Sequence, residues 1–251
     1  IDLTVVQGSG PKGRILKEDL HSYVKNILAN KQERQEIPLA PNIDFSKWGK
    51  IKEQQLSKLR KTASENLLTS WISIPHVTQH EEIDLTTLLK LRKKLNSSNK
   101  ISPLAYIVKS TAETLKHFPE MNSSLSNDKE TIVVKKYFNI GIAIDTENGL
   151  IVPNIKDTNK KSIVEISDEI KELAILAKKR RLNSDQLSGA TFTISSLSGI
   201  GGKFFTPIIN PPEVGILGLS KTYDVVKLEN MKLSTTQQLP VSLSYDHRII
   251  N

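Results

Sequence analysis

A mixed α/β fold, equally describable as α+β, is predicted by three observations. The middle of the chain alternates strand-like and helix-like runs: TIVVKKYFNIGIAIDTENGLIVPNIKD is apolar and β-branched, and SIVEISDEIKELAILAKKRR places apolar residues at helical spacing. The last stretch, LPVSLSYDHRIIN, alternates apolar and polar residues, which puts Val241, Leu243 and Tyr245 on one strand face. Finally, 251 residues are enough for one large domain, or a domain with appendages, around a sizeable core.

Taken in order, the chain opens on Gly8-Ser9-Gly10-Pro11-Lys12-Gly13, which satisfies G-x-G-x-x-G and precedes the helix-like KEDLHSYVKNIL. A dinucleotide site needs a complete strand–helix–strand unit with an acidic residue after the second strand. The next stretch is instead ANKQERQEIPLAPNIDFSKWGK, polar and holding two prolines, which reads as a linker. No nucleotide site is expected there. From residue 44 the main domain begins. QLSKLRKTASENLLTSWIS predicts an amphipathic helix with Leu56, Leu59, Ala63, Leu67 and Trp71 on its apolar face, ended by Pro75. VTQHEEI predicts a strand, and DLTTLLKLRKKL a helix capped by Asp84 with basic residues in its last turns. His76 and His80 lie four apart, but on strand-like sequence without a third ligand cluster, so no metal site is expected. Ser102-Pro103 starts a third helix that runs through Phe118. Asn148-Gly149 supplies a hairpin turn, and Ser162 with Glu165 forms a capping-box pattern at the head of the best helix. In ATFTISSLSGIGGKFFTPIINPPEVGILGLSK, one strand ends at Ser195-Ser196, a glycine-rich loop comes after it, and a second strand ends near Ser220-Lys221.

Composition narrows the chemistry. The chain has no cysteine, so it has neither a disulfide framework nor a thiol nucleophile of its own, and any thiol chemistry belongs to its substrates. It contains no run of eighteen apolar residues, and IDLTVVQGSG lacks the regions of a signal peptide. A soluble, intracellular protein with no membrane partner is expected. The net charge of +8 suits an anionic partner, whether nucleic acid, an acidic protein surface or a phosphorylated cofactor. Nucleic acid is not expected, because aromatic residues make up only 5% of the chain and none interleaves the basic cluster after the best helix. If the terminal strand stays extended, His247 joins its apolar face, where desolvation favours a neutral imidazole suited to general-base work. Asn251 can sit beside it if the chain turns helically. Ser195, at a strand end before glycines, fits an oxyanion-donor or cofactor-binding position.

SWISIPHVTQHEEID, IDTENGLIVPNIKD, FTISSLSGIGGKFFTPIINPPEVGILGLSK and LPVSLSYDHRIIN, in this order over residues 44–251, resemble the catalytic domain of the dihydrolipoyl acyltransferases of 2-oxo acid dehydrogenase complexes. FSKWGKI and IPHVTQ are most similar to the acetyltransferase branch serving bacterial pyruvate dehydrogenase. VQGSGPKGRILKEDLHSYV resembles the second half of that family's peripheral subunit-binding domain, with Lys12, Arg14 and Lys17 as a basic face. The resemblance implies three segments: a partial binding module over 1–28, a linker over 29–43, and a catalytic domain over 44–251 that lacks the usual glycine and final helix. A fragment of the family's longer chain is therefore expected.

The resemblance further implies a fold like that of chloramphenicol acetyltransferase, a mixed-sheet sandwich, assembled as homotrimers with sites between subunits and built into a cubic core. The family motif DHRxx(D/N) falls on Asp246, His247, Arg248 and Asn251, and its FTIS serine on Ser195. Those positions imply that His247 activates the coenzyme A thiol, that Ser195 stabilises the oxyanion, and that Asn251 orients neighbouring groups. Coenzyme A is then a substrate, and the lipoyl group rides on a separate domain. Asn210, Ser220 and Lys221 are candidates for coenzyme A contacts. The implied partners are the pyruvate decarboxylase and lipoamide dehydrogenase components, and the implied location is the cytoplasm. Three alternatives stand beside acetyl transfer: succinyl or branched-chain transfer, an inactive structural core subunit, and a free antibiotic acetyltransferase, which would not need the module at Gly8 to Val24.

Overall fold

The computed structural model describes residues 6, 8–32, 41–95, 101–147, 149–197, 199–229 and 231–251. They fall into two compact units, residues 1–54 and 55–251.

In the first unit, a short 3-10 turn at Pro11–Gly13 precedes α1, Lys17–Gln32. Asp19 accepts from the backbone N–H of Ser9 (2.9 Å) and Leu16 (2.8 Å), which holds its carboxyl below the usual range. The glycines serve close backbone approach rather than a phosphate: a Cβ on Gly8 would lie 2.5 Å from the Gly13 carbonyl oxygen, and one on Gly10 2.7 Å from that of Arg14. A second 3-10 turn, Phe45–Trp48, is capped by Asp44.

The second unit is built on one mixed sheet. Its elements are α2 (Lys58–Ser73), β1 (His76–Asp84), α3 (Thr86–Leu95), α4 (Pro103–Thr114), β2 (Ser123–Leu125), β3 (Ile132–Val134), β4 (Ile140–Thr146), β5 (Gly149–Ile151), β6 (Asn154–Ile155), α5 (Ile163–Lys178), β7 (Phe192–Ser196), β8 (Gly215–Leu219), β9 (Tyr223–Glu229) and β10 (Lys232–Asp246). The strand order is β1-β10-β8-β7-β4-β5, with β6 on β4 and β9 on β10; β2 and β3 pair separately. β7 runs parallel to β4 and β8, while the other pairings are antiparallel. The mixed α/β fold is therefore present.

The two sheet faces differ. On one, Ile140, Ile142, Phe192, Ile194, Leu219 and Val241 pack against Ala105, Val108 and Ala112 of α4 and Ile166 and Leu173 of α5, forming the main core. α5 forms because its apolar residues recur at helical spacing and because its first turn is closed by a reciprocal capping box. Glu165 N–H donates to Ser162 Oγ (3.3 Å), and Ser162 N–H to Glu165 Oε2 (2.7 Å). The other face carries Thr193, Ser195, Gly218, Ser242, Ser244 and Asp246, with His76, Thr78 and His80 in register beside them.

Several expectations are met, and several are corrected. Asp84 caps α3 through Thr86 N–H (2.8 Å), and Ser102 caps α4. α4 ends at Thr114 rather than Phe118, because Pro119 disfavours helical geometry at the residue before it and residues 115–117 relax into a turn. Thr146 pairs with Gly149 (φ 125°), giving the expected hairpin; Asn148 itself lies outside the described residues. α2 exists, but its anticipated apolar face is exposed among the described residues. Leu56, Leu59, Leu67 and Trp71 are exposed, and the buried residue is Ser70, whose hydroxyl donates to the Ile209 carbonyl. Among the described residues no helix is long and apolar enough to cross a membrane.

Candidate active site

Register aligns the polar face residue by residue. Ser195 on β7 pairs with Gly218 on β8, Gly218 with Ser242 on β10, and Ser242 with His80 on β1, so the four form one row across the sheet. The loop Lys203–Asn210 is strapped over this row. The Phe205 ring lies over Gly218, where a Cβ would meet it at 2.5 Å, and Phe205 N–H donates to Ser242 Oγ (3.4 Å). Lys203 Nζ reaches Glu82 Oε1 (2.6 Å), to which the Tyr223 hydroxyl also donates (2.8 Å). At the far end, Ile209 N–H donates to His76 Nε2 (3.0 Å), which assigns the ring proton to Nδ1, donating to the Ile74 carbonyl (2.8 Å). His80 Nδ1 bonds Ser242 Oγ (2.8 Å) and its ring packs on Phe204. The two histidines are thus clasps of the strap, a role their spacing in the sequence did not suggest. Ser195 is half-buried, and among the described residues no hydrogen bond engages its hydroxyl.

His247 corrects the reading made from strand periodicity. β10 stops at Asp246, and residues 247–249 turn, because the Asp246 carbonyl accepts from Ile249 and Ile250 N–H (3.0 Å each). The turn is reinforced by the Asp246 side chain, 2% exposed, which accepts from Arg248 N–H (3.0 Å), Nε (2.9 Å) and Nη2 (2.6 Å). This fork-shaped pairing raises the Arg248 guanidinium above its ordinary range. His247 is consequently exposed rather than desolvated on the apolar face. Its backbone N–H donates to the Pro75 carbonyl (3.1 Å), and its ring stands edge-on to Tyr245. Asn251 is exposed, and no hydrogen bond joins it to His247.

Ser195 and His247 are far apart within a chain. His247 lies five residues beyond Ser242, just past the end of β10, and Ser195 two strands across from Ser242. At about 3.4 Å per residue and about 4.8 Å per strand, their backbones are roughly 20 Å apart. The coenzyme A candidates divide the same way. Ser220, 1% exposed, and the exposed Lys221 come directly after β8 at the Ser195 end, whereas Asn210 precedes β8 at the His247 end and donates to Glu213 Oε1 (3.0 Å). An apolar groove of about 800 Å³ lies on the opposite, helix-covered face, lined by Leu85, Leu88, Ile107 and Leu217, and holds none of these residues. Glu213 itself was not anticipated. Its signal is an acidic residue inside the apolar run PPEVGILGL.

Fold and motif together define a class: the chain belongs to the 2-oxoacid dehydrogenases acyltransferase (catalytic domain) family, whose profile matches residues 49–251. Residues 1–21 match the E3 binding domain family. The particular proteins it is similar to include the dihydrolipoyllysine-residue acetyltransferase component of the pyruvate dehydrogenase complex of Cupriavidus necator, 44% identical over 100% of this chain and 48% of that protein. Among solved structures, Azotobacter vinelandii dihydrolipoamide acetyltransferase is 41% identical with a TM-score of 0.82, covering 86% of this chain and 90% of that one; it was solved to investigate a serine, a histidine and an asparagine in its catalytic mechanism. The cubic core of the pyruvate dehydrogenase multienzyme complex is 42% identical with the same TM-score and coverage. The chain spans about half the length of its Cupriavidus relative.

Proposed function

We propose that this chain transfers an acetyl group from acetyl-dihydrolipoamide to coenzyme A, as the catalytic core of a pyruvate dehydrogenase complex. One observation carries the reading. The serine, histidine and asparagine investigated in the Azotobacter enzyme are spaced along its chain as Ser195, His247 and Asn251 are along this one.

In this mechanism His247 takes the proton of the coenzyme A thiol, and the resulting thiolate attacks the acetyl carbonyl carbon. Ser195 donates its free hydroxyl to the oxyanion of the tetrahedral intermediate. The carbon–sulfur bond to dihydrolipoamide then breaks, and the departing thiolate takes the proton back from His247. Asn251 orients groups beside His247. No enzyme thiol is required, in keeping with a chain free of cysteine. Because one chain separates Ser195 from His247 by roughly 20 Å, each centre draws its serine from one subunit and its histidine from the next. Homotrimers meet this need, and we place them in a cubic core. The N-terminal module, residues 1–28, docks the decarboxylase and lipoamide dehydrogenase components, and residues 29–43 link it to the catalytic domain at 44–251. The lipoyl group arrives on a separate domain, coenzyme A is held near Asn210, Ser220 and Lys221, and the protein works in the cytoplasm.

The test compares coenzyme A-dependent deacylation of acetyl-, succinyl- and isobutyryl-dihydrolipoamide. Fastest turnover of the acetyl substrate is expected. Preference for another acyl group overturns the acetyl assignment, and no turnover by a folded assembly overturns the catalytic one.

A further inference from the structure

Glu213 is a buried carboxyl group that the mechanism above leaves unused. It is 3% exposed and is held from two sides: Thr193 Oγ1 donates to Oε2 (2.6 Å), and Asn210 Nδ2 to Oε1 (3.0 Å). Its own N–H donates to the Asn210 carbonyl (3.0 Å), so the segment from Asn210 to Glu213 is closed on itself. Burial pushes the carboxyl up to about 7, against its two hydrogen bonds and the positive charge of Lys135. Burying such a group is costly unless every partner is in place.

Those partners belong to Ser195's own strand and to the strap whose Phe205 covers Gly218, the residue paired with Ser195. Thr193 precedes Ser195 by two residues on β7, so both side chains leave the same face of the strand. The Thr193 hydroxyl lies close over the neighbouring strand where Gly141 has no side chain, since a Cβ added there would lie 2.7 Å from its Oγ1. Asn210 ends the strap that crosses this face. We infer that Glu213 is a positioning residue for the Ser195 hydroxyl: by engaging Thr193 and Asn210 together, it fixes β7 against the loop over its polar face. The inference rests on the reading of Ser195 as oxyanion donor. Such a donor works only at hydrogen-bond distance from the developing charge, so a displaced strand lowers turnover without changing how substrates bind.

The experiment measures kcat and KM for both substrates with the assembled protein carrying Glu213→Leu, Thr193→Val, Glu213→Gln, Ser195→Ala, and Ser195→Ala combined with Glu213→Leu or Thr193→Val. Glu213→Leu and Thr193→Val are expected to lower kcat about tenfold with KM within about twofold, as a small misplacement of catalytic geometry does. Glu213→Gln, which can still bond both partners, recovers most of that loss. In the Ser195→Ala background the further loss disappears, because no hydroxyl remains to be misplaced. If Glu213→Leu does not fold, Thr193→Val and Glu213→Gln carry the comparison. The proposal is overturned if the loss persists unchanged in the Ser195→Ala background, or if Thr193→Val lowers the melting temperature while kcat stays at the wild-type value. Wild-type activity in Ser195→Ala alone refutes the role of Ser195 itself, and the positioning role falls with it.

Discussion

Mixing two inactive variants tests the shared centre directly. Ser195→Ala removes the proposed oxyanion donor and leaves His247; His247→Ala does the reverse. Within one chain the two residues are separated by the last four residues of β10, the first residue of the turn after it and two strand spacings, roughly 20 Å. The proposed mechanism needs both groups within about 3 Å of one reacting thioester, and it therefore requires them to meet where two subunits do. In a cyclic assembly formed from equal amounts of the variants, a centre is intact when its serine comes from a His247→Ala subunit and its histidine from a Ser195→Ala subunit. Each choice has even odds, so about one quarter of the centres, and about one quarter of wild-type turnover, return. The assay is the initial rate of coenzyme A-dependent deacetylation after the variants are dissociated together and reassembled, with mass analysis of the mixed oligomers. Mixed oligomers without recovered activity would refute the shared centre, since a site complete within one chain cannot be repaired by mixing.

Three further outcomes are expected. His247→Ala lowers turnover about 100- to 10,000-fold, the usual contribution of an acid–base group; because the ring is exposed and makes no hydrogen bond among the described residues, circular dichroism and melting stay at wild-type values, and near-full turnover would exclude His247 from the reaction. Glu213, faced by Thr193, Asn210 and Lys135 and sharing a cleft with Asp246, Arg248 and Lys129, titrates at about 7 in the fold against 4.5 for an ordinary glutamate. A raised carboxyl stabilises the fold fully below about pH 4.5 and loses that contribution as pH rises through about 7, so wild type loses roughly 3 kcal/mol relative to Glu213→Gln between pH 4.5 and 8; parallel urea-stability curves for the two proteins would contradict this. Gly218→Ala forces the Phe205 ring from its place at 2.5 Å, costing about 1–3 kcal/mol in denaturant unfolding, and Phe205→Leu in the same chain recovers part of it; an unperturbed Gly218→Ala midpoint would show that the strap is not packed as described.

What was legible in the sequence is local. Ser162 and Glu165 lie three residues apart and close their own helix end, Asp84 caps α3 two residues ahead of its partner, and the β7 and β8 boundaries are set by apolar runs bracketed by serine, glycine and proline. Each depends on neighbours within a few positions, so reading along the chain was enough. The motif residues around Ser195 and His247 were visible for the same reason, as short runs of recognisable type.

Tertiary structure decided how these pieces face one another. Period-two alternation extended β10 through His247, but the Asp246–Arg248 pairing and the Asp246 carbonyl turn the chain one residue earlier and leave the imidazole exposed. The β9–β10 ribbon is charged and threonine-rich, so strand pairing rather than hydrophobic periodicity defines it. Glu213, not anticipated from the sequence, gains its place only because Thr193 and Asn210 are brought onto its two oxygens, and His76 and His80 become clasps only because the strap crosses β1. The sequence by itself determined where helices form and how they are capped, because short-range hydrogen bonding and periodicity are written in adjacent residues. The tertiary structure alone decided that Ser195 and His247 stand at opposite ends of one sheet, because strand register joins residues distant in the chain and no local pattern records it.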